Sequence, residues 1–195
     1  MKPAAIFLGF LIIIGGLWWY FGGSPRSGPT EGIFVERSDQ FTDPQSSPDL
    51  TNNVRLFGFR LINATSSDIA ATSSIFMLEP YSTFGYSNVK NIQLSYNNNV
   101  IAVLPGLDNP ITSIHFNRII LPRGSSGQFW LSANLTGSST ATTTLGFRLI
   151  HIDAGSAGPT PRDLPVYRKV NNLELTNLNY EPSVKWIIIP PSGGR

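Results

Sequence analysis

Apolar residues along most of this chain recur in short runs of period two, separated by clusters of turn-forming residues. Such alternation places apolar side chains on one face of a β-strand and polar ones on the other. Beyond residue 32 no window shows the 3.6-residue period of an amphipathic helix, so the pattern predicts an all-β domain. The predicted strands cover residues 33–37, 54–64, 69–78, 89–96, 99–104, 112–120, 127–136, 144–152, 172–178 and 184–189.

The segment GQFWLSANLTG shows which side chains of a strand point inward. Alternation turns four apolar side chains toward the core: Phe129, Leu131, Ala133 and Leu135. Trp130 falls on the opposite, polar side, so we predict an exposed aromatic there. The segment IQLSYNNNVIAVL predicts a hairpin, because asparagines such as Asn97 tolerate the positive φ of a tight turn.

The first 23 residues depart from this pattern, since residues 4–23 contain no charge. As a helix, residues 4–21 would span about 27 Å, close to the hydrocarbon thickness of about 30 Å. Aromatic residues at the end of the run are typical of a membrane interface. We therefore predict a transmembrane signal-anchor whose lipid-facing residues are Ile6, Phe7, Leu8, Phe10, Leu11, Ile12, Ile13, Ile14, Leu17, Trp18, Trp19, Tyr20 and Phe21.

The main alternative for this segment is a cleavable signal peptide. Such peptides have an apolar region of about 7–15 residues and end at a small-x-small site, whereas this run is longer and ends in aromatics. Lys2 precedes the run and Arg26 follows it. The positive-inside rule, which compares the cationic residues on the two sides of a membrane segment, therefore favours neither orientation clearly. The predicted location is the cytoplasmic (inner) membrane, single-pass, with the carboxyl-terminal domain outside the cytoplasm, because the other orientation would export only three residues.

Composition bounds the remainder of the chain. Residues 24–32, rich in Gly, Ser and Pro, predict a flexible linker, and residues 33–195 are long enough for one β-sandwich domain. Charged residues make up 13% of the 195-residue chain, against about 25% in typical soluble domains. The net charge of +2 is scattered and forms no basic stripe, which argues against a nucleic-acid partner. The absence of cysteine excludes disulfides and thiolate chemistry.

Three segments together resemble a known class of module: VRLFGFRLINATSSDIAATSSIFML, NVKNIQLSYNNNVIAVL and ITSIHFNRIILPRGSSGQFWLSANLTGSSTATTTLGFRLI. They are similar to the immunoglobulin-like β-sandwich modules of bacterial cell-surface proteins, over about residues 54–152. In those modules a hairpin of the type VxNIxLY leads to an LPxGxxxxFxLxAxLTG segment. The resemblance implies a structural or adhesive role, and it carries over no active site.

The residue types needed for catalysis or metal binding are sparse. His115 and His151 lie on separate predicted strands without further ligands nearby in sequence, and the carboxylates are dispersed. No nucleophile elbow or nucleotide-binding loop occurs, so we predict no enzyme, no metal and no cofactor. The aspartates at 39, 43 and 49 are interpreted as a solvated loop, and calcium binding is the alternative. Asn63 and Asn134 begin glycosylation sequons.

Two groups of aromatic and aliphatic residues are candidates for interaction. Trp130, with Tyr81, Phe84 and Tyr86, could form an aromatic patch for a glycan or protein, although core packing is favoured for the group. The apolar run at the carboxyl end is interpreted as a closing strand, and pairing with a neighbouring subunit is the alternative. Its candidate residues are Trp186, Ile187, Ile188 and Ile189.

These observations favour a membrane-anchored, extracytoplasmic structural or adhesive module of an envelope or surface assembly. Its expected partners are membrane lipid at the amino-terminal helix and a protein or glycan at strand edges. One alternative is a subunit of a pilus-like polymer, although the acidic residue found early in type IV pilin helices is missing here. Another is an anchored envelope hydrolase, which would need two carboxylates brought together by folding.

Overall fold

The computed structural model describes residues 31–37, 45–46, 52–80, 82–136, 142–159, 162–168, 173–174 and 185–189, all within the compact unit Glu31–Arg195. These residues contain twelve strands and one short 3-10 turn, Tyr86–Asn88. The strands are β1 (Ile33–Arg37), β2 (Gln45–Ser46), β3 (Val54–Asn63), β4 (Ile69–Leu78), β5 (Val89–Tyr96), β6 (Asn99–Gly106), β7 (Ile111–Leu121), β8 (Ser126–Leu135), β9 (Thr143–Ser156), β10 (Val166–Arg168), β11 (Leu173–Glu174) and β12 (Lys185–Ile189).

The strands form two sheets. The first, sheet A, has the order β11-β10-β1-β3-β8-β5-β6, and the second, sheet B, has the order β2-β12-β9-β4-β7. Most neighbours are antiparallel, but β1 pairs with β10 and β12 pairs with β2 in parallel. The predicted all-β sandwich is therefore confirmed.

A cluster of phenylalanines joins the sheets. Phe57 and Phe59 of β3, Phe76 of β4 and Phe129 of β8 are each no more than 1% exposed. Phe57 in sheet A meets Phe76 in sheet B edge-on, with ring centroids 6.1 Å apart. Burial of large apolar side chains from both inner faces supplies most of the stabilisation of such a sandwich.

Each of the ten predicted strands overlaps an observed strand, although several boundaries differ and the ninth, 172–178, overlaps only at Leu173–Glu174. The sixth predicted strand extends by one residue at each end, and the eighth continues to Ser156. The short strands β2 and β10 were missed because two or three residues cannot display an alternating pattern. The Asn97–Asn98 hairpin is confirmed: the φ angles of these residues are 46° and 69°.

The predicted location in the cytoplasmic membrane is wrong. Among the residues that the structure describes, no helix is long and apolar enough to cross a bilayer, and the 3-10 turn at Tyr86–Asn88 has only three residues. A crossing helix needs about 20 apolar residues. The predicted anchor at residues 1–23 and the linker residues 24–30 lie outside the described residues.

The carboxyl-terminal strand lies inside sheet B. β12 pairs antiparallel with β9 on one side and in parallel with β2, at Gln45 and Ser46, on the other. This is the arrangement that the closing-strand interpretation of residues 186–189 predicts. The side chains of these residues lie outside the described part of the chain.

Candidate functional site

The outer face of sheet A carries a row of polar side chains at its centre. The register sets Arg55 of β3 and Gln93 of β5 opposite Ser132 of β8, and Ser95 of β5 opposite Trp130 of β8. Because side chains alternate along a strand, these residues point away from the core that their neighbours Phe129 and Leu131 fill. The same alternation that builds the core therefore builds a polar outer face.

Trp130 lies at the centre of this face, but the prediction that it is exposed is wrong. Only 5% of Trp130 is accessible. The guanidinium carbon of Arg55 lies over its ring, 4.8 Å from the ring centroid, which is a cation–π contact. Alternation along a strand predicts the direction of a side chain but not its exposure. Here a long cationic side chain from the neighbouring strand covers the ring.

Two adjoining depressions flank the Arg55–Trp130 pair. One has a volume of about 190 Å³ and the other about 400 Å³, and both are lined by Arg55, Asn98 and Trp130. The smaller is also lined by Asn53, Gln93, Ser95, Val100 and Ser132. The larger is also lined by Arg60, Asn97, Ser126 and Gln128. Amides, hydroxyls and guanidinium groups dominate the described lining, which contains no carboxylate.

Hydrogen bonds fix part of this lining. The side-chain amide of Gln128 donates to the carbonyl oxygens of Phe59, at 2.9 Å, and Phe129, at 3.1 Å. The backbone N–H of Gln128 in turn donates to Oδ1 of Asn97, at 3.0 Å. The hairpin turn and β8 are thereby held together at the rim of the larger depression, so its shape exists before any ligand arrives.

The two lining arginines differ in electrostatic environment. Arg60 forms an ion pair with Glu36 of β1. Arg55 is exposed, and no described carboxylate lies within salt-bridge distance of it. The described lining therefore carries one positive charge that no ion pair balances.

Gly127, which lies between the lining residues Ser126 and Gln128, closely approaches the ring of Tyr96. Replacing Gly127 with alanine is expected to lower the free energy of unfolding by about 1–3 kcal/mol. The new Cβ would lie 2.8 Å from Oη of Tyr96 and overlap its ring, which packs on Phe129 with a centroid distance of 5.0 Å. Urea unfolding measures the loss. Gly158→Ala is the control, because nothing lies within 4 Å of its Cβ, and equal midpoints for the two variants would contradict this account.

The other candidate residues do not join this site. His115 is exposed on β7, with Nε2 3.3 Å from Oγ of Ser113, while His151 lies on β9 opposite Ile75. No group of three potential metal ligands occurs among the described residues. Phe84 is buried, with 5% exposure, and Tyr86 is 41% exposed. Tyr81 and the aspartates at 39, 43 and 49 lie outside the described residues.

The two sequons differ in accessibility. Asn63 is fully buried, and its side-chain nitrogen donates to the carbonyl oxygens of Ser67, at 2.9 Å, and Leu121, at 3.0 Å. A glycan would attach to this nitrogen, so Asn63 in the folded chain is not an acceptor. Asn134 is half-buried, and its Oδ1 accepts the backbone N–H of Asn53.

Fold and site together define a β-sandwich module with a polar outer face. No protein-family model and no curated protein match the chain. The solved structures that match include the seventh ScaB type I cohesin from Pseudobacteroides cellulosolvens, with a TM-score of 0.41 and 9% identity over 83% of this chain and 94% of that one. Another is the apo form of the Calx CBD1 domain, with a TM-score of 0.39 and 12% identity over 83% and 99% of the two chains.

A third similar structure is the collagen-binding domain from a Staphylococcus aureus adhesin, with a TM-score of 0.21 and 10% identity over 84% of this chain and 99% of that one. The β-sandwich architecture behind the resemblance to bacterial surface modules is confirmed by the two sheets of this chain.

Proposed function

We propose that this β-sandwich is a non-enzymatic recognition module of a surface assembly, which binds a glycan on the outer face of sheet A. The observation that carries the proposal is the pair of adjoining depressions that share Arg55, Asn98 and Trp130. Their size suits one or two sugar units each, and the preformed shape limits the entropy lost on binding.

The chemistry of the lining supports a glycan more than a protein. Protein interfaces depend on a buried apolar centre, whereas Val100 is the one aliphatic side chain in the described lining. Amides such as those of Gln93 and Asn98 both donate and accept hydrogen bonds, which matches the hydroxyl groups of a sugar. Glycan recognition also agrees with the structural or adhesive role that the sequence resemblance implies.

The alternatives have less support. Two strands already flank the backbone of β12 at Ile187 and Ile188, so those residues offer no unpaired edge to a neighbouring subunit. A hydrolase would need two carboxylates facing one another across the bound sugar. The described part of each depression contains none.

The experiment fills the larger depression with a bulky side chain and compares binding on an array of neutral and acidic oligosaccharides. Ser126 is exposed and lines this depression, and Ser126→Trp is expected to lower affinity at least about tenfold by excluding the sugar. Ser113→Trp is the matched control, because Ser113 is an exposed strand serine of sheet B.

Two results would contradict the proposal. The first is that the unsubstituted protein binds no oligosaccharide of the array. The second is that Ser126→Trp binds as the unsubstituted protein does. Circular dichroism and unfolding midpoints of both tryptophan variants verify that the sandwich is intact.

A further inference from the structure

The cations of the proposed glycan site are not equivalent. The charge of Arg60 is already balanced by Glu36 on the neighbouring strand β1. Arg55 projects from β3 into both depressions, and within the described residues its guanidinium has the ring of Trp130 as its contact. The site therefore presents one cation whose hydrogen-bond donors are available to a ligand.

The contact with Trp130 does not use the N–H donors of Arg55 as hydrogen-bond donors. When a guanidinium stacks on an aromatic ring, one of its faces makes that contact and its N–H groups point outward in its own plane. A carboxylate is planar and accepts two parallel N–H bonds from such an edge. The contact with the ring restricts the guanidinium of Arg55 before binding, so little side-chain entropy is lost when a carboxylate binds.

Apart from Arg55, the described lining of the smaller depression carries no charge. Asn53, Gln93, Asn98 and Ser95 line the smaller depression around Arg55 and provide neutral donors and acceptors. A ligand with acid groups at every position would place additional charges against amides, which cannot neutralise them. One acid group beside neutral hydroxyl groups matches the site as described.

We infer that Arg55 binds a single carboxylate of the bound glycan. The preferred ligands are therefore oligosaccharides with a uronate or another carboxylated sugar at the position that contacts Arg55. This inference rests on the proposed function. Arg55 would select the acid group, and the amides around it would hold the neighbouring hydroxyls.

The test compares acidic oligosaccharides with their own methyl esters, which keep the shape and remove the charge. The probes are 3′-sialyllactose, which has one acid group, and a hyaluronan tetrasaccharide, in which acid sugars alternate with neutral ones. Each is measured by isothermal titration calorimetry with and without esterification. The protein is expected to bind at least one acid about 10- to 100-fold more tightly than its ester, as for hydrogen bonds to a charged group. The preference should decrease with added salt.

Three variants assign this preference to Arg55. Arg55→Gln is expected to bind acid and ester alike. Arg55→Lys should retain part of the preference for acid over ester, because a lysine keeps the charge but lacks the paired N–H groups that bind both carboxylate oxygens. Arg123→Gln is the matched control: Arg123 is an exposed arginine in the turn between β7 and β8 and lines neither depression.

The outcomes separate this inference from the proposed function. If acids and esters bind equally and Ser126→Trp weakens both, the glycan site stands and the acid selection is refuted. If Arg55→Gln keeps the full preference while its unfolding midpoint is normal, the assignment to Arg55 is wrong. If neither acids nor esters respond to Ser126→Trp, the glycan site and the inference both fail.

Discussion

Replacing Glu79 with alanine is expected to lower the free energy of unfolding by about 3–5 kcal/mol, the typical cost of removing one partner of a buried ion pair. Glu79 is 3% exposed and directly follows β4. Its carboxylate receives two hydrogen bonds from Arg148 of β9, from Nε to Oε1 and from an Nη to Oε2 at 2.7 Å.

A second cation increases the cost of losing this carboxylate. Arg168 of β10 has its pKa lowered, first by burial and second by repulsion from Arg148. Without Glu79, Arg148 would lose the carboxylate that binds it, while its repulsion of Arg168 would remain. The Glu79→Ala substitution therefore removes attraction and leaves repulsion.

Urea unfolding followed by tryptophan fluorescence measures the effect. With a slope of about 1–3 kcal/mol per molar urea, the midpoint should fall by about 1 M or more. Glu31→Ala is the matched control, because Glu31 is exposed and a surface substitution of this kind costs less than about 0.5 kcal/mol. The double variant Glu79→Met/Arg148→Met should recover part of the loss, since apolar residues often replace buried pairs well. A Glu79→Ala midpoint equal to that of Glu31→Ala would refute the role of the pair.

Truncating Phe59 to alanine is expected to have a similarly large effect, about 3–5 kcal/mol. Phe59 is completely buried and stacks on Phe129 with ring centroids 4.8 Å apart and planes 3° apart. It also packs within 6.2 Å of the ring of Phe76 in the opposite sheet. The substitution therefore removes contacts within sheet A and between the sheets, and leaves a cavity in the core.

Differential scanning calorimetry tests this second prediction. For a domain of this size, each 1 kcal/mol lowers Tm by about 2–4 °C, so Phe59→Ala should lower it by about 6–20 °C. Val103→Ala is the control, because Val103 is 58% exposed and its truncation should change Tm by less than about 2 °C. The idea that this ring contributes strongly to the core is untenable if both variants melt alike.

The sequence predicted the strands well because each main strand is long enough to show its alternation. β3, β4, β5 and β8 begin and end within one residue of the expected positions. The inward set Phe129, Leu131, Ala133 and Leu135 is buried as predicted. Leu56 is buried beside its buried neighbour Phe57, which strict alternation does not predict, because the register of β3 against β8 shifts between Arg55 and Phe57. Such a bulge depends on the partner strand and leaves no periodic signal.

The candidate site was only partly predictable. Trp130 was identified by its type and position, but Arg55 and Gln93 were not, although both occupy outward positions on predicted strands. A search for outward polar residues on all strands would include Arg55 and Gln93, but it would not distinguish them from the many other outward polar residues. Which of those residues meet depends on pairing β3 and β5 with opposite edges of β8, and that pairing joins residues distant in sequence.

The sequence by itself determined that this domain is an all-β structure, because side-chain alternation is a local property that any strand of eight or more residues displays. It also determined the Asn97–Asn98 turn, since few residues accept positive φ. Only the tertiary structure decided that Trp130 is covered by Arg55, that Glu79 and Arg148 form an ion pair, and that β12 lies between β9 and β2. Each of these depends on the strand order, which is fixed by how the two sheets bury their faces together and which no single segment encodes.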